Sequence, residues 1–258
     1  MAYQEILFAA EGPIGFLTLN NPRKINSLSR QMIQEIIDAL NRVASDESIK
    51  VIIIQAAGKH FCAGHDLSEL VDQGVKEYKM IFDQCTRMMQ LIHEIPQPVI
   101  AQVQGIATAA GCQLVAWCDL AVAEQGARFA TPGVKIGLFC TTPMVALSRA
   151  IGRKAAMEML LTGRYVPADE AQSLGLINKV VPLDALAHET RALAEQITEA
   201  SGFTLGIGKQ AFYAQIDQPD DKAFQFAKHT ITLNNMAEDA QNGITGFLHK
   251  QTPVWKNR

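Results

Sequence analysis

Apolar residues follow two different rhythms along the chain. Residues 6–9 and Ile14–Leu19 are short apolar runs on either side of Glu11-Gly12-Pro13, and this pattern predicts a two-stranded hairpin. From Ser29, a residue type suited to capping a helix, Ile33, Ile36, Ile37, Leu40 and Ala44 recur at helical spacing. Val51-Ile52-Ile53-Ile54 then reads as a strand buried on both faces. The rhythm repeats with a helix ending near His93, a strand at Val99–Val103, a Gly/Ala-rich turn, a helix over residues 111–117 and a strand over residues 120–123. Strands alternating with helical crossovers imply a parallel sheet and an α/β fold.

After Gly175 the strand signals nearly vanish. Residues 185–200, 203–216, 220–236 and 237–250 read as successive helices joined by short breaks. The expected organisation is an α/β core over residues 1–198 followed by a helical region over residues 199–258, with no low-complexity linker and no solenoid repeat. At 258 residues, 48% of them hydrophobic, the chain can bury one full core.

Charge removes one class of partner. A net charge of −3 and a pI near 6.1 give no basic stripe of the kind that binds a phosphate backbone, so nucleic acid is not expected. The five cysteines are odd in number and never form a CxxC pair, which argues against a disulfide framework or a zinc site. His93 and His188 have no partner at ligand spacing, and no metal is expected. No run approaches the roughly 18 apolar residues of a membrane span, and the opening segment has no basic stretch followed by an apolar one. The expected location is cytoplasmic.

Two segments carry candidate chemistry. Residues 59–67 (KHFCAGHDL) follow a buried strand directly, with small residues where the backbone must turn sharply. Residues 105–113 (GIATAAGCQ) also follow a strand, and they open a helix whose first amides have no intrahelical acceptor. Two such donors can converge on one oxygen, although each turn alone is as well explained by close packing.

In order, FCAGHDL, PVIAQVQGIATAAGCQLVAWCDLAVA, ARFATPGVKIGL and GRKAAMEMLLTGRYVPADEAQSLGLINKVVP resemble the crotonase (enoyl-CoA hydratase/isomerase) superfamily over essentially the whole chain. The finer resemblance is to domain-containing enoyl-CoA hydratase-like proteins whose chains end in Pro-Val-Trp, here Pro253-Val254-Trp255. The resemblance implies a β/α spiral core with a C-terminal helical trimerisation region, the trimers commonly pairing into hexamers. It implies an acyl-CoA thioester as ligand, with coenzyme A part of the substrate rather than a resident cofactor, and a place in fatty acid metabolism. It assigns the thioester carbonyl to the backbone N–H groups of His65 and Ala110. It places Lys24 near the phosphates, the Ala63 carbonyl near adenine with Asp66 and Leu67 beside it, and Phe247 and Lys250 as contributions from a neighbouring subunit. Negative charge develops on a thioester oxygen when the carbon beside it loses a proton, and preorganised amides stabilise that charge.

The resemblance breaks at two positions. Where a hydratase of this family has its two glutamates, this chain has Gln113 and Gly133. Hydration needs a base for water and an acid for the α-carbon; glutamine titrates at no useful pH and glycine has no side chain. General acid–base steps are worth roughly 10²–10⁴-fold, so hydratase turnover is expected to be very slow. The candidate sources of replacement groups are Glu69, Asp72 and the segment Gly137-Leu138-Phe139-Cys140-Thr141-Thr142-Pro143. Cys140 is a candidate nucleophile set against a small buried hydrophobe, and Thr141 and Thr142 are expected to cap a helix starting at Pro143. The His65 imidazole is a candidate base, Asp66 is expected to bind turn amides, and Asp119 reads as structural. Met88, Met89, Met157 and Met159 read as core or interface rather than acyl pocket. The leading reading is an enzyme of the lyase or isomerase type whose reaction differs from hydration. The alternatives are a non-catalytic acyl-CoA sensor or scaffold and, disfavoured by charge, an RNA-binding member.

Overall fold

The computed structural model describes residues 3–258. Strands β1 (Ile6–Glu11) and β2 (Ile14–Leu19) form the expected antiparallel hairpin, turned at Gly12 with φ +57°. Helix α1 (Arg30–Ala44) starts where the sequence placed it, with the Ser29 Oγ accepting the Met32 N–H at 3.0 Å. There follow β3 (Val51–Ala56), α2 (Val75–Glu94), β4 (Val99–Val103), β5 (Ile106–Thr108), α3 (Ala110–Trp117), β6 (Leu120–Glu124) and β7 (Arg128–Ala130). The rest of the chain supplies α4 (Thr141–Ala150), α5 (Arg153–Thr162), β8 (Val166–Pro167), α6 (Ala168–Leu174), β9 (Lys179–Val181), α7 (Leu186–Thr198), α8 (Gly202–Gln215), α9 (Asp220–Asn234) and α10 (Glu238–His249).

The main sheet has six strands in the order β1-β2-β3-β4-β6-β9, parallel throughout after the hairpin. A second sheet, β5-β7-β8, receives the chain between β4 and β6 and again after β6. Alternation along β3 explains its continuous apolar run. Ile52 and Ile54 enter the large core with α1 and α2, while Val51 and Ile53 enter the smaller core under α7.

One strand lies after Gly175, where strand signals nearly vanish: β9 extends the main sheet by pairing with β6. It is three residues long, stops at Pro182, and is specified by its neighbour rather than by any period of its own. Thr141 and Thr142 do not cap a helix starting at Pro143; α4 begins at Thr141, and Cys140 occupies the cap without a side-chain bond.

The helical C-terminal region is present, anchored by a buried polar knot. The Lys209 ammonium, only 5% exposed, lies 2.7 Å from Asp119 and donates to the carbonyls of Ile92 and Gln97. Asp119 also accepts the Val99 N–H and the Tyr213 hydroxyl. Asp119 is therefore structural, as expected. By contrast α9 buries none of its residues, and Phe224 and Met236 are each 78% exposed.

No helix among the described residues is long and apolar enough to cross a membrane.

Candidate functional site

The loop after β3 is held by Leu28, whose N–H donates to the Gly64 carbonyl at 2.7 Å and whose carbonyl accepts the Asp66 N–H at 3.2 Å. In this parallel bridge the intervening His65 N–H points the other way, and it meets no acceptor among the described residues. Gly64 has φ +95°, a conformation costly for any side chain.

The second segment ends in a strained residue. Ala109, the N-cap of α3, has φ +50° and ψ −120°, a glycine-like conformation worth about 1–3 kcal/mol of strain for a residue with a Cβ. Its own N–H donates to the Ala130 carbonyl and its carbonyl accepts from Gln113, so both sides of the kink are fastened. The N–H of Ala110 follows the kink as the first amide of α3, and it too has no acceptor among the described residues. A Cβ on Gly64 would lie 3.1 Å from the Ala110 nitrogen, so the two segments touch at glycine distance. The Thr108 hydroxyl donates to the Ala63 carbonyl at 3.0 Å and ties the segments together.

His65 and Ala110 both line one cavity of about 900 Å³. Its polar lining comes from Lys24, Ser27, Ser68, Asp66 and the Ala63 segment. The rest of the lining comes from Leu67, Leu70, Phe82 and the stretch from Pro132 to Pro143, which is apolar except at Lys135, Thr141 and Thr142. Of the residues singled out from sequence, Lys24, Ala63, His65, Asp66, Leu67, Ala110, Gly133 and Cys140 all meet here.

Several differ in detail from expectation. Lys24 is not a free cation: its Nζ lies 2.6 Å from Asp66, which raises the lysine pKa and lowers that of the aspartate. Asp66 also accepts the Ser68 N–H and hydroxyl, the turn-binding role expected of it. The His65 ring packs edge-on against Phe82, with centroids 5.4 Å apart. Its Nε2 is buried without a partner, and desolvation pushes its pKa down to about 4. The imidazole is therefore neutral near pH 7 and a weak base. Burial raises the Cys140 pKa, so its thiol is protonated and suits a small buried hydrophobe better than a nucleophile.

Gln113, one turn beyond Ala110 on the same face of α3, is not among the residues lining the cavity; it is 6% exposed, with its Oε1 lacking any partner. Gly133 is a steric requirement. A Cβ there would stand 2.1 Å from the Leu138 carbonyl oxygen and 2.8 Å from the Cys140 Sγ. The loop from Gly137 to Cys140 occupies the room a side chain would need, fixed by the Leu138 N–H donating to the Gly133 carbonyl at 3.0 Å.

Phe247 and Lys250 do not line the cavity; Phe247, at the end of α10, is 85% exposed. Sequence reasoning missed Phe82, Leu70, Ile136, Ser27 and Ser68. Phe82 left a trace: it follows Ile81, which belongs to the buried stripe of α2 with Cys85, Met88, Met89 and Ile92, but stands off that stripe itself. No group of three or more His, Cys, Asp or Glu among the described residues could hold a metal ion.

A family model for enoyl-CoA hydratase/isomerase matches residues 9–258. The chain is 46% identical to the mitochondrial enoyl-CoA hydratase domain-containing protein 3 of Danio rerio over 96% of its length and 86% of that protein's. It is 45% identical to the human protein of that name over 93% of its length and 80% of that protein's. The crystal structure of human enoyl-CoA hydratase domain-containing protein 3 superimposes with a TM-score of 0.96 at 44% identity, covering 98% of this chain and 100% of that one. An enoyl-CoA hydratase structure from Mycobacterium smegmatis gives 0.95 at 46% identity, covering 98% and 99%. The cytoplasmic expectation is overturned, because the relatives from fish, frog, mouse and human are all named as mitochondrial proteins. The fold, the family match and these relatives together place the chain in the enoyl-CoA hydratase/isomerase family, with the crotonase fold.

Proposed function

We propose that the chain binds an acyl-CoA thioester with its carbonyl oxygen between the His65 and Ala110 N–H groups, and that its reaction is not hydration. The observation that carries this reading is the pair of amides without acceptors, both on residues lining one cavity, the second directly following a strained residue. Such donors stabilise an enolate or a tetrahedral oxyanion without any reorganisation at the moment of reaction. Lys24, Asp66 and Leu67 flank the coenzyme, and the Ala63 carbonyl keeps a lone pair for the adenine amino group besides the one Thr108 uses.

The chemistry is limited by what stands beside the hole. Gln113 carries a carboxamide that moves no proton, and Gly133 offers only backbone. Double-bond migration, decarboxylation and thioester hydrolysis all draw on an oxyanion hole with a modest proton relay. A second reading, an acyl-CoA sensor without turnover, is favoured by the way the loop at Leu138 fills the space beside Gly133. Residues 199–258 are assigned to assembly into trimers or hexamers, in which Phe247 and Lys250 of one copy reach the coenzyme of the next. The bare apolar face of α9 supports that assignment.

The test is crotonyl-CoA hydration, followed by loss of enoyl-thioester absorbance, beside a binding titration of the same ligand. Saturable binding with hydration near the uncatalysed rate supports the proposal. Turnover at the rate of a working hydratase contradicts it.

A further inference from the structure

We infer that Asn26, which does not itself line the cavity, is a positioning residue for the oxyanion site: its carboxamide fixes the loop that carries the His65 N–H. The inference rests on the acyl-CoA reading above and adds a residue on which that site depends. It starts from a strained turn. Ile25 and Asn26 are consecutive left-handed residues, with φ +53° and +51°. Asparagine tolerates that region, whereas a β-branched isoleucine is an outlier there and persists only where its surroundings hold it. Asn26 supplies that hold, and it is wholly buried.

Both ends of the Asn26 carboxamide are engaged. Its Oδ1 accepts the Asn21 N–H at 2.9 Å, and its Nδ2 donates to the Ala57 and His60 carbonyls, each at 2.9 Å. One side chain thus closes the turn before it and grips both shoulders of the loop after β3, 31 and 34 residues away. Accepting one N–H while donating twice requires an amide, and of the two amide side chains asparagine is the one suited to a left-handed backbone.

The residues that this turn delivers are the ones that hold His65 in place. The Ala63 N–H donates to the Ile25 carbonyl at 3.0 Å, and Leu28 makes the bonds on either side of His65, to Gly64 and to Asp66. The segment from His60 to Asp66 is therefore fastened at His60, Ala63, Gly64 and Asp66, each time to a residue between Ile25 and Leu28. The His65 N–H stands between two of these bonds, so its direction follows from theirs. Without the Asn26 carboxamide the turn is free to relax, and a donor moved off its mark stabilises an oxyanion poorly.

Two variants separate the clamp from the strain. Asn26→Gly keeps the left-handed backbone and removes the carboxamide, while Asn26→Asp keeps its shape and its acceptor and removes both donors. Ala194→Gly, in α7 and the smaller core, is the destabilised control. Each is titrated calorimetrically with free coenzyme A and with butyryl-CoA, and the C=O stretch of bound butyryl-CoA labelled with ¹³C at the thioester carbon is recorded. Both Asn26 variants are expected to lose about fivefold in butyryl-CoA affinity relative to coenzyme A, the worth of one typical hydrogen bond. They are also expected to lose on the order of half of the wild-type lowering of the stretch, one donor of two. Ala194→Gly is expected to change neither. Wild-type values in folded Asn26 variants, equal losses of coenzyme A and butyryl-CoA affinity, or the same changes in Ala194→Gly overturn the inference and keep the oxyanion reading. A stretch not lowered in the wild type overturns the oxyanion reading and, with it, the role given to Asn26.

Discussion

A Cβ placed on Gly64 would stand 2.8 Å from the Cβ of Ala109, so the loop after β3 and the start of α3 are in contact through a glycine hydrogen. The same Cβ would meet the Thr108 carbonyl at 3.0 Å, and Gly64 has φ +95°. Gly64→Ala therefore pays both for a forbidden dihedral and for pushing the two amide-bearing segments apart. It is expected to cost about 1–3 kcal/mol, a fall of several degrees in the melting temperature. It is also expected to weaken thioester binding more than free coenzyme A binding. Unchanged discrimination between the two in a folded variant would separate Gly64 from the oxyanion site.

Restoring a hydratase should need more than two glutamates. Gln113→Glu sits on an intact helix and is expected to raise crotonyl-CoA hydration from its baseline by roughly 10²-fold, the low end for one general acid–base group. Gly133→Glu alone is expected to give no gain and to lower the melting temperature, because its Cβ falls 2.1 Å from the Leu138 oxygen. A gain of hydration from Gly133→Glu at wild-type stability would show that the loop yields freely.

Acid should destabilise the fold through two buried imidazoles. His65 packs against Phe82, and His93 lies between the rings of Trp117 and Tyr213 at 4.1 and 3.5 Å; burial pushes both down to about 4. The unfolded chain takes up these protons near pH 6.5, before the folded one does. Stability is thus lost as pH falls from about 6.5 towards about 4, and this contribution is level below that. Urea midpoints across that window check it, and His93→Gln should remove part of the slope. A midpoint independent of pH between 6.5 and 4.5 would contradict the burial of both rings.

The polar knot that links α8 to the core contains one buried charge pair, Lys209 with Asp119. Lys209→Met leaves Asp119 without its counter-charge and is expected to cost about 3–5 kcal/mol. Lys209→Met with Asp119→Asn is expected to be less damaging than the sum of the two single changes, since the stranded charge is gone. Strict additivity in chemical denaturation would contradict the pairing.

The bare face of α9 makes assembly testable. Light scattering is expected to give a mass of at least three times the 28.2 kDa chain, and Phe224→Glu to reduce it. A monomeric wild type would remove the neighbouring-subunit roles given to Phe247 and Lys250.

Much of this was legible in the sequence, for reasons particular to each element. β3 announced itself because both of its faces are buried, and α1 because Ser29 caps it and its apolar stripe is regular. The loop from His60 to Asp66 and the turn before Gly111 could be recognised because backbone amides demand small residues around them whatever the side chains do. The strands β5, β7, β8 and β9 were hidden, each two or three residues long and specified by partners distant in sequence. The Lys24–Asp66 pair was hidden as well, since 42 residues separate its members. Nor did Gly133 show from sequence that it is sterically required, because the obstacle is a carbonyl on a loop that folds back onto it.

The central claim is that the His65 and Ala110 amides hold the thioester carbonyl, and its most direct test is vibrational. The C=O stretch of an acyl-CoA labelled with ¹³C at the thioester carbon would be recorded free and bound to the protein. Two preorganised donors in a dry cavity should polarise the bond and move the bound stretch to lower frequency than in water. A bound stretch at the solution frequency or above would mean that the two amides face something else.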